Sequence, residues 1–115
     1  MMTAQEIFDK VCNHLITQNR QSADSAGRCK YRYNTLKCAV GCLIPDEVYV
    51  PEMEGALSRL TSSSWGLGWM EEHILLLSEL QRVHDLNDPE NWKRRLRKVS
   101  EKYNLDQPEC IRART

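Results

Sequence analysis

The chain has no excess charge, no long apolar run and no repeat. Its 115 residues carry 16 Lys and Arg against 16 Asp and Glu. That balance, with 41% apolar residues, excludes a disordered polyelectrolyte and leaves enough material for a modest core. No apolar run approaches the ~20 residues that cross a bilayer, so no membrane partner is expected. The opening "MMTAQEIFDK" has acids early and no apolar stretch, unlike a secretory signal. Cytoplasmic location is the resulting expectation. Cys-x-x-Cys knuckles are absent, and "GLG" at Gly66 to Gly68 lacks the rest of a nucleotide fingerprint. No linker divides the chain. One domain over residues 1–115 is expected.

What is present is uneven. Residues 1–45 sum to +3, residues 46–90 to −8 and residues 91–115 to +5. An acidic middle and a basic end concern surfaces and partners rather than fold.

Thr3 and Glu6 have capping-box spacing, and Ala4, Ile7, Phe8, Val11, Cys12 and Leu15 share a helical face. The helix fades near Gln18, and "NRQSADSAGR" follows as a polar loop. "CKYRYNTLKCAV" alternates, which predicts a small hairpin turning near Asn34. Two registers keep its apolar face intact, one setting Cys29 opposite Cys38 and the other Tyr31 opposite Cys38. "CAVGCLI" either continues the strand or starts a short helix, and Pro45 ends either. Pro51 suits the start of another helix with Met53, Ala56, Leu57 and Leu60 as its stripe. A central helix is expected from about Trp69 to Leu86, and a final one after Asp88-Pro89-Glu90 with Trp92, Leu96, Val99 and Tyr103 inward. Asn104 ends it, and residues 105–115 are expected to form a flexible tail. The fold class is therefore α+β, mostly helical, with a small β-hairpin.

Five cysteines without a secretion signal are expected to be mainly reduced and buried. Cys29, Cys38 and Cys42 are near enough in sequence to suggest a zinc site, but a fourth ligand is missing. A Cys29–Cys38 disulfide requires the first hairpin register. Cys38 at a helix start, beside Lys37, would be an activated nucleophile, with His73 or His84 as base. Those histidines lie about 16 Å apart on one helix, too far to share an ion. Each is expected to top the core with a ring nitrogen on a backbone carbonyl. Asp46, Glu47, Glu52 and Glu54 are expected to form a solvated loop and helix start. Leu75 and Leu86 fall on the charged side of the central helix, on one line, and mark a contact for another helix or subunit. Lys93, Arg94, Arg97 and Lys98, with Arg95 and Lys102, surround the last helix. They could meet phosphate, but no helix-turn-helix spacing precedes them. A protein partner therefore ranks above nucleic acid.

Cys29-x-Tyr31-Arg32, then Cys38-Ala39-Val40-Gly41-Cys42-Leu43-Ile44, then Pro51-x-Met53-Glu54-Gly55 form a pattern. It resembles a group of short uncharacterised proteins of bacterial and phage genomes, which also open with a helix like "IFDKVCNHLITQ". The resemblance covers about the first half of the chain and carries no activity or site residue with it. It implies a phage or prophage accessory setting, in which a small non-enzymatic protein binds a host factor. The leading expectation is thus a non-catalytic interaction module that binds and modulates a host protein, with a homodimer as a candidate state. The alternative is a small zinc- or nucleic-acid-binding module, and a cysteine-dependent enzyme comes third.

Overall fold

Thr3 starts the fold. Its hydroxyl accepts the Glu6 amide at 3.1 Å, and the Glu6 carboxylate accepts the Thr3 amide at 2.8 Å. This is the reciprocal pair that the spacing predicts. In the computed structural model, which describes residues 2–62 and 64–113, helix α1 runs Ala4–Gln18 from that cap. Ile7, Phe8, Val11, Cys12 and Leu15 line its fully buried face. Asn19, at φ 51, ends the helix in the left-handed region that asparagine tolerates.

The hairpin consists of β1 (Arg32–Tyr33) and β2 (Leu36–Lys37), antiparallel, with Arg32 opposite Lys37 and Tyr33 opposite Leu36. Asn34, at φ 56, makes its turn. Of the two expected registers, this is the one that sets Cys38 against Tyr31. The Cys38 amide donates to the Tyr31 carbonyl at 3.1 Å. Cys29 pairs instead with Ala23 in an isolated bridge, so the Cys29–Cys38 disulfide has no geometry to form, and both thiols are free.

The run Cys38 to Ile44 is buried throughout. It neither extends the strand nor forms an α-helix; Gly41–Leu43 is a 3₁₀ turn laid directly on the hairpin. Glycine is required there, because a Cβ at position 41 would lie 1.9 Å from the Tyr31 carbonyl oxygen. Arg32 holds the turn from the other side. Its guanidinium donates to the carbonyl oxygens of Gly41 and Ile44 and pairs with Asp46 at 2.9 Å.

The helix expected from Pro51 is broken in two. Pro51–Met53 is a 3₁₀ turn, with proline at the start as expected, and α2 spans only Leu57–Ser62. Glu54 causes the break. Its carboxylate turns inward to accept the Tyr31 amide at 2.8 Å, the Arg32 amide at 3.2 Å and the Tyr49 hydroxyl at 2.6 Å. Those three bonds outweigh one more helical turn, and Gly55 supplies the φ of 133° that the detour needs. Glu54 is therefore not part of a solvated acidic cluster.

The central helix is also shorter than expected. Gly68–His73 is a 3₁₀ stretch, and α3 runs Ile74–Leu86. His73 sits at the junction, bonded through Nε2 to the Met2 carbonyl at 3.0 Å. Leu76, Leu77, Leu80, Val83 and His84 are buried, so α3 is the centre of the core as its wide stripe predicts. A 3₁₀ turn at Pro89–Asn91 leads into α4 (Trp92–Tyr103), whose Trp92, Leu96 and Val99 point inward. Asn104, at φ 54, ends it.

The segment after α4 does not fray as expected. A 3₁₀ turn at Glu109–Ile111 packs against α1 and α4, and Ile111 is fully buried. Gln5 clasps Asp106 both ways: its Nε2 donates to the Asp106 carbonyl at 2.9 Å, and its Oε1 accepts the Asp106 amide at 2.8 Å. Burying an apolar side chain and pairing the backbone is what holds an end down. Arg114 and Thr115 of the expected tail lie outside the described residues. The architecture is the expected mostly helical α+β fold, with four α-helices and one two-stranded hairpin among the described residues.

The contact at Gly41 gives a direct test. Gly41→Ala should lower unfolding stability by about 3 kcal/mol or more, because neither the hairpin carbonyl nor the buried turn can give way. Urea unfolding of both proteins measures the difference.

Candidate functional site

The cysteines are not poised for chemistry. Cys38 is fully buried, and its sulfur accepts the Gly41 amide at 3.2 Å. Burial pushes its thiol far up, and Lys37 does not reverse this. Burial likewise pushes Cys12 up strongly and Cys42 up to about 12. Neither expected base serves Cys38. His73 is committed to the Met2 carbonyl, and His84 is fully buried within a different network.

The expected trio of Cys29, Cys38 and Cys42 does not converge. Among the described residues, the group of three donors within 4.8 Å of one another is Cys29, His84 and Asp85. The hairpin register explains this, since it sends Cys38 under the 3₁₀ turn while the Ala23 bridge holds Cys29 toward α3.

His84 is the hub of this group. The Ser22 amide donates to its Nε2 at 2.9 Å. That nitrogen is therefore the acceptor, and the ring proton resides on Nδ1, which donates to Asp85 Oδ1 at 2.6 Å. Gln81 continues the chain, taking the Val40 amide on Oε1 and donating from Nε2 to the same Asp85 oxygen. The His84 ring stacks on Trp92, with centroids 5.6 Å apart and planes 25° from parallel. Gln21 closes the network from the loop, donating to the carbonyls of His84 and Asn87 at the end of α3. His84 thus differs from expectation: its ring bonds an amide and a carboxylate rather than a carbonyl.

This tautomer decides what the group can do. A metal on Nδ1 would need the proton moved to Nε2, where the Ser22 N–H already points. Two donors would then face each other in a dry interior. Nor is the set a nucleophilic relay. His84 gives its Nδ1 proton to Asp85 and takes the Ser22 amide on Nε2, so neither ring nitrogen is open to take a proton from Cys29. Burial, with the Asp85 carboxylate beside it, pushes the Cys29 thiol up to about 11. Ser22 is fully buried, and its amide rather than its hydroxyl meets His84. The network is structural, binding the 19–31 loop and the cysteine turn to α3. Sequence reasoning missed Asp85, Gln81, Gln21 and Ser22 as members. The available signal was a histidine on an apolar face followed directly by an acid.

The outer face of α3 is different. Leu75 and Leu86 are 72% and 71% exposed, as their place on the helical wheel predicts. Each borders a dent. Leu86 lines a cleft of about 270 Å³ between α3 and α4, floored by Val83 and Val99 and rimmed by Arg82, Arg95, Lys98 and Lys102. Leu75 lines one of about 280 Å³ with Ala4, Ile74, Leu76 and Tyr103. Between them Glu79 accepts the Tyr103 hydroxyl at 2.5 Å and pairs with Lys102 at 3.0 Å. The Tyr103 bond leads in holding its carboxyl below the usual range. Lys93, Arg94 and Lys98 are exposed on α4. Arg97 is half-buried and donates to the Ile111 carbonyl at 2.8 Å, so its guanidinium serves the fold. No helix among the described residues is long and apolar enough to cross a membrane.

Compared with protein-family models, curated proteins and solved structures, the chain matches none.

Two measurements test this description. His84→Leu should cost about 2–4 kcal/mol in urea unfolding, since it leaves the Ser22 amide unpaired in the interior and removes the stack on Trp92. The raised thiols of Cys29 and Cys42 contribute stability that is full below the ordinary thiol value of 9.0 and is lost as pH rises through about 11 and 12. The urea midpoint should therefore fall between pH 8 and pH 11. Over the same range the labelling of Cys29 by iodoacetamide should accelerate about tenfold per pH unit until its thiolate saturates.

Proposed function

We propose that this chain is a non-catalytic protein-interaction module whose working surface is the exposed side of α3 with the basic flank of α4. The observation that carries the reading is the α3–α4 cleft. An exposed leucine and an apolar floor lie among four cations, Arg82, Arg95, Lys98 and Lys102, and one carboxylate, Glu79, which is paired with Lys102. Of the cations only Lys102 has a salt bridge among the described residues. Such a cleft suits an amphipathic helix that seats one apolar side chain and sets carboxylates against the rim. The thiols of Cys12, Cys29, Cys38 and Cys42, pushed up by burial, support a role without covalent chemistry. The resemblance to phage and prophage accessory proteins adds the setting: the partner is a host protein, and binding modulates it.

Fluorescence anisotropy with a labelled acidic amphipathic helical peptide tests the surface directly. Binding should exceed that of a scrambled peptide and weaken with salt. It should drop by about tenfold or more in Arg95→Glu/Lys98→Glu and in Leu86→Glu. Equal binding of the scrambled peptide removes the proposal. Tighter binding to random-sequence DNA, with a steep salt slope, would move the assignment to nucleic acid.

A further inference from the structure

The outer line of α3 reads Leu75, Glu79, Arg82, Leu86, with steps of four, three and four residues. These steps follow a single seam down a helix, the spacing by which two helices pack. The buried residues Leu76, Leu77, Leu80, Val83 and His84 lie on the inner side, and the seam runs along the α4 edge of the solvent face, where Glu79 and Leu86 border that helix. The order of side chains along it is the same pattern from either end: apolar, charged, oppositely charged, apolar.

A line of that kind is complementary to itself when reversed. Placed antiparallel, with residue numbers adding to a constant, Leu75 of one copy meets Leu86 of the other, and Glu79, whose Oε2 already holds Tyr103 and Lys102 of its own copy, faces Arg82. Each contact occurs twice about a two-fold axis. The dents match as well. Leu86 of one copy enters the hollow beside Leu75, between Ala4, Ile74 and Tyr103; Leu75 enters the hollow floored by Val83 and Val99. Knobs and hollows are both set by the eleven-residue, roughly 16 Å separation of the two leucines. A parallel pairing would instead oppose Glu79 to Glu79 and Arg82 to Arg82.

We propose that the occupant of this face is a second copy of the same chain, joined through an antiparallel, two-fold α3–α3 contact. The inference rests on the reading of this face as the working surface, and it adds a self-associated state in which a second copy holds the face that a host partner would occupy. Leu75 and Leu86 are exposed for this contact. A heterologous acidic helix would compete for the same seam.

Sedimentation velocity across a concentration series reads the outcome. The unaltered chain should pass from monomer to twice the monomer mass. Leu75→Lys and Leu86→Glu should each weaken the dimer by about 100-fold, because each removes two leucine contacts at once. Both substitutions lie on the exposed face and suit their local charge, so circular dichroism should stay unchanged. The double variant Leu75→Lys/Leu86→Glu should recover at least about tenfold, since the antiparallel register pairs the new lysine with the new glutamate twice. A monomer at every concentration, or a dimer indifferent to both single substitutions, overturns the inference. A double variant no better than the singles overturns the register. Peptide binding by a chain that stays monomeric would sink this inference and leave the surface assignment standing; dimerisation through the seam without peptide binding would do the reverse for a heterologous partner.

Discussion

The buried imidazole of His84 is the constraint on which the other contacts depend. One ring nitrogen must receive the Ser22 amide, the other must give its proton to Asp85, and the ring face must lie on Trp92. Each requirement belongs to a different stretch of chain. The loop after α1, the end of α3 and the start of α4 are therefore fixed together by one side chain. Gln21 adds to this by donating into carbonyls that the end of α3 would otherwise leave open. A polar group at the centre of a small core is costly unless fully bonded, and here the bonding specifies a single arrangement.

From that hub the position of the cysteine turn follows. Gln81 reaches from α3 to the Val40 amide, and Glu54 and Arg32 clamp the hairpin from two sides. Each clamp meets backbone groups that a 3₁₀ turn or a two-residue strand cannot pair for itself. Short irregular elements are thus stabilised by long polar side chains from elsewhere in the sequence. The cysteines fill the space that remains, as small apolar groups.

What could be read beforehand divides along the same line. Local signals were legible: the Thr3–Glu6 box, the stripe of α1, the pairing of Tyr31 with Cys38 as one of two registers, and the asparagine that ends α4. Each depends on residues within a few positions of one another. The breaks at Glu54 and His73 were not legible, because their partners, Tyr31 with Arg32 and Met2, lie far away in sequence. Helical periodicity continued through both points, and tertiary bonds overrode it. The convergence of Cys29 with His84 and Asp85 was hidden for the same reason. The exposed leucines were visible because a helical wheel needs no tertiary information. The complementarity of their seam needed the actual limits of α3 and the hollows beside it.

The clasp between Gln5 and Asp106 has a consequence for the order in which the molecule assembles. It joins positions 101 residues apart and encloses nearly all of the chain. A loop that large carries a high closure entropy until the interior is already built. The closing segment with Ile111 is therefore expected to dock last. It covers one side of α1 and lies apart from the His84 hub. Hydrogen exchange should then be faster in residues 105–113 than in the middle of α3. The fold is a seam laced from its centre, with the knot tied at the hem.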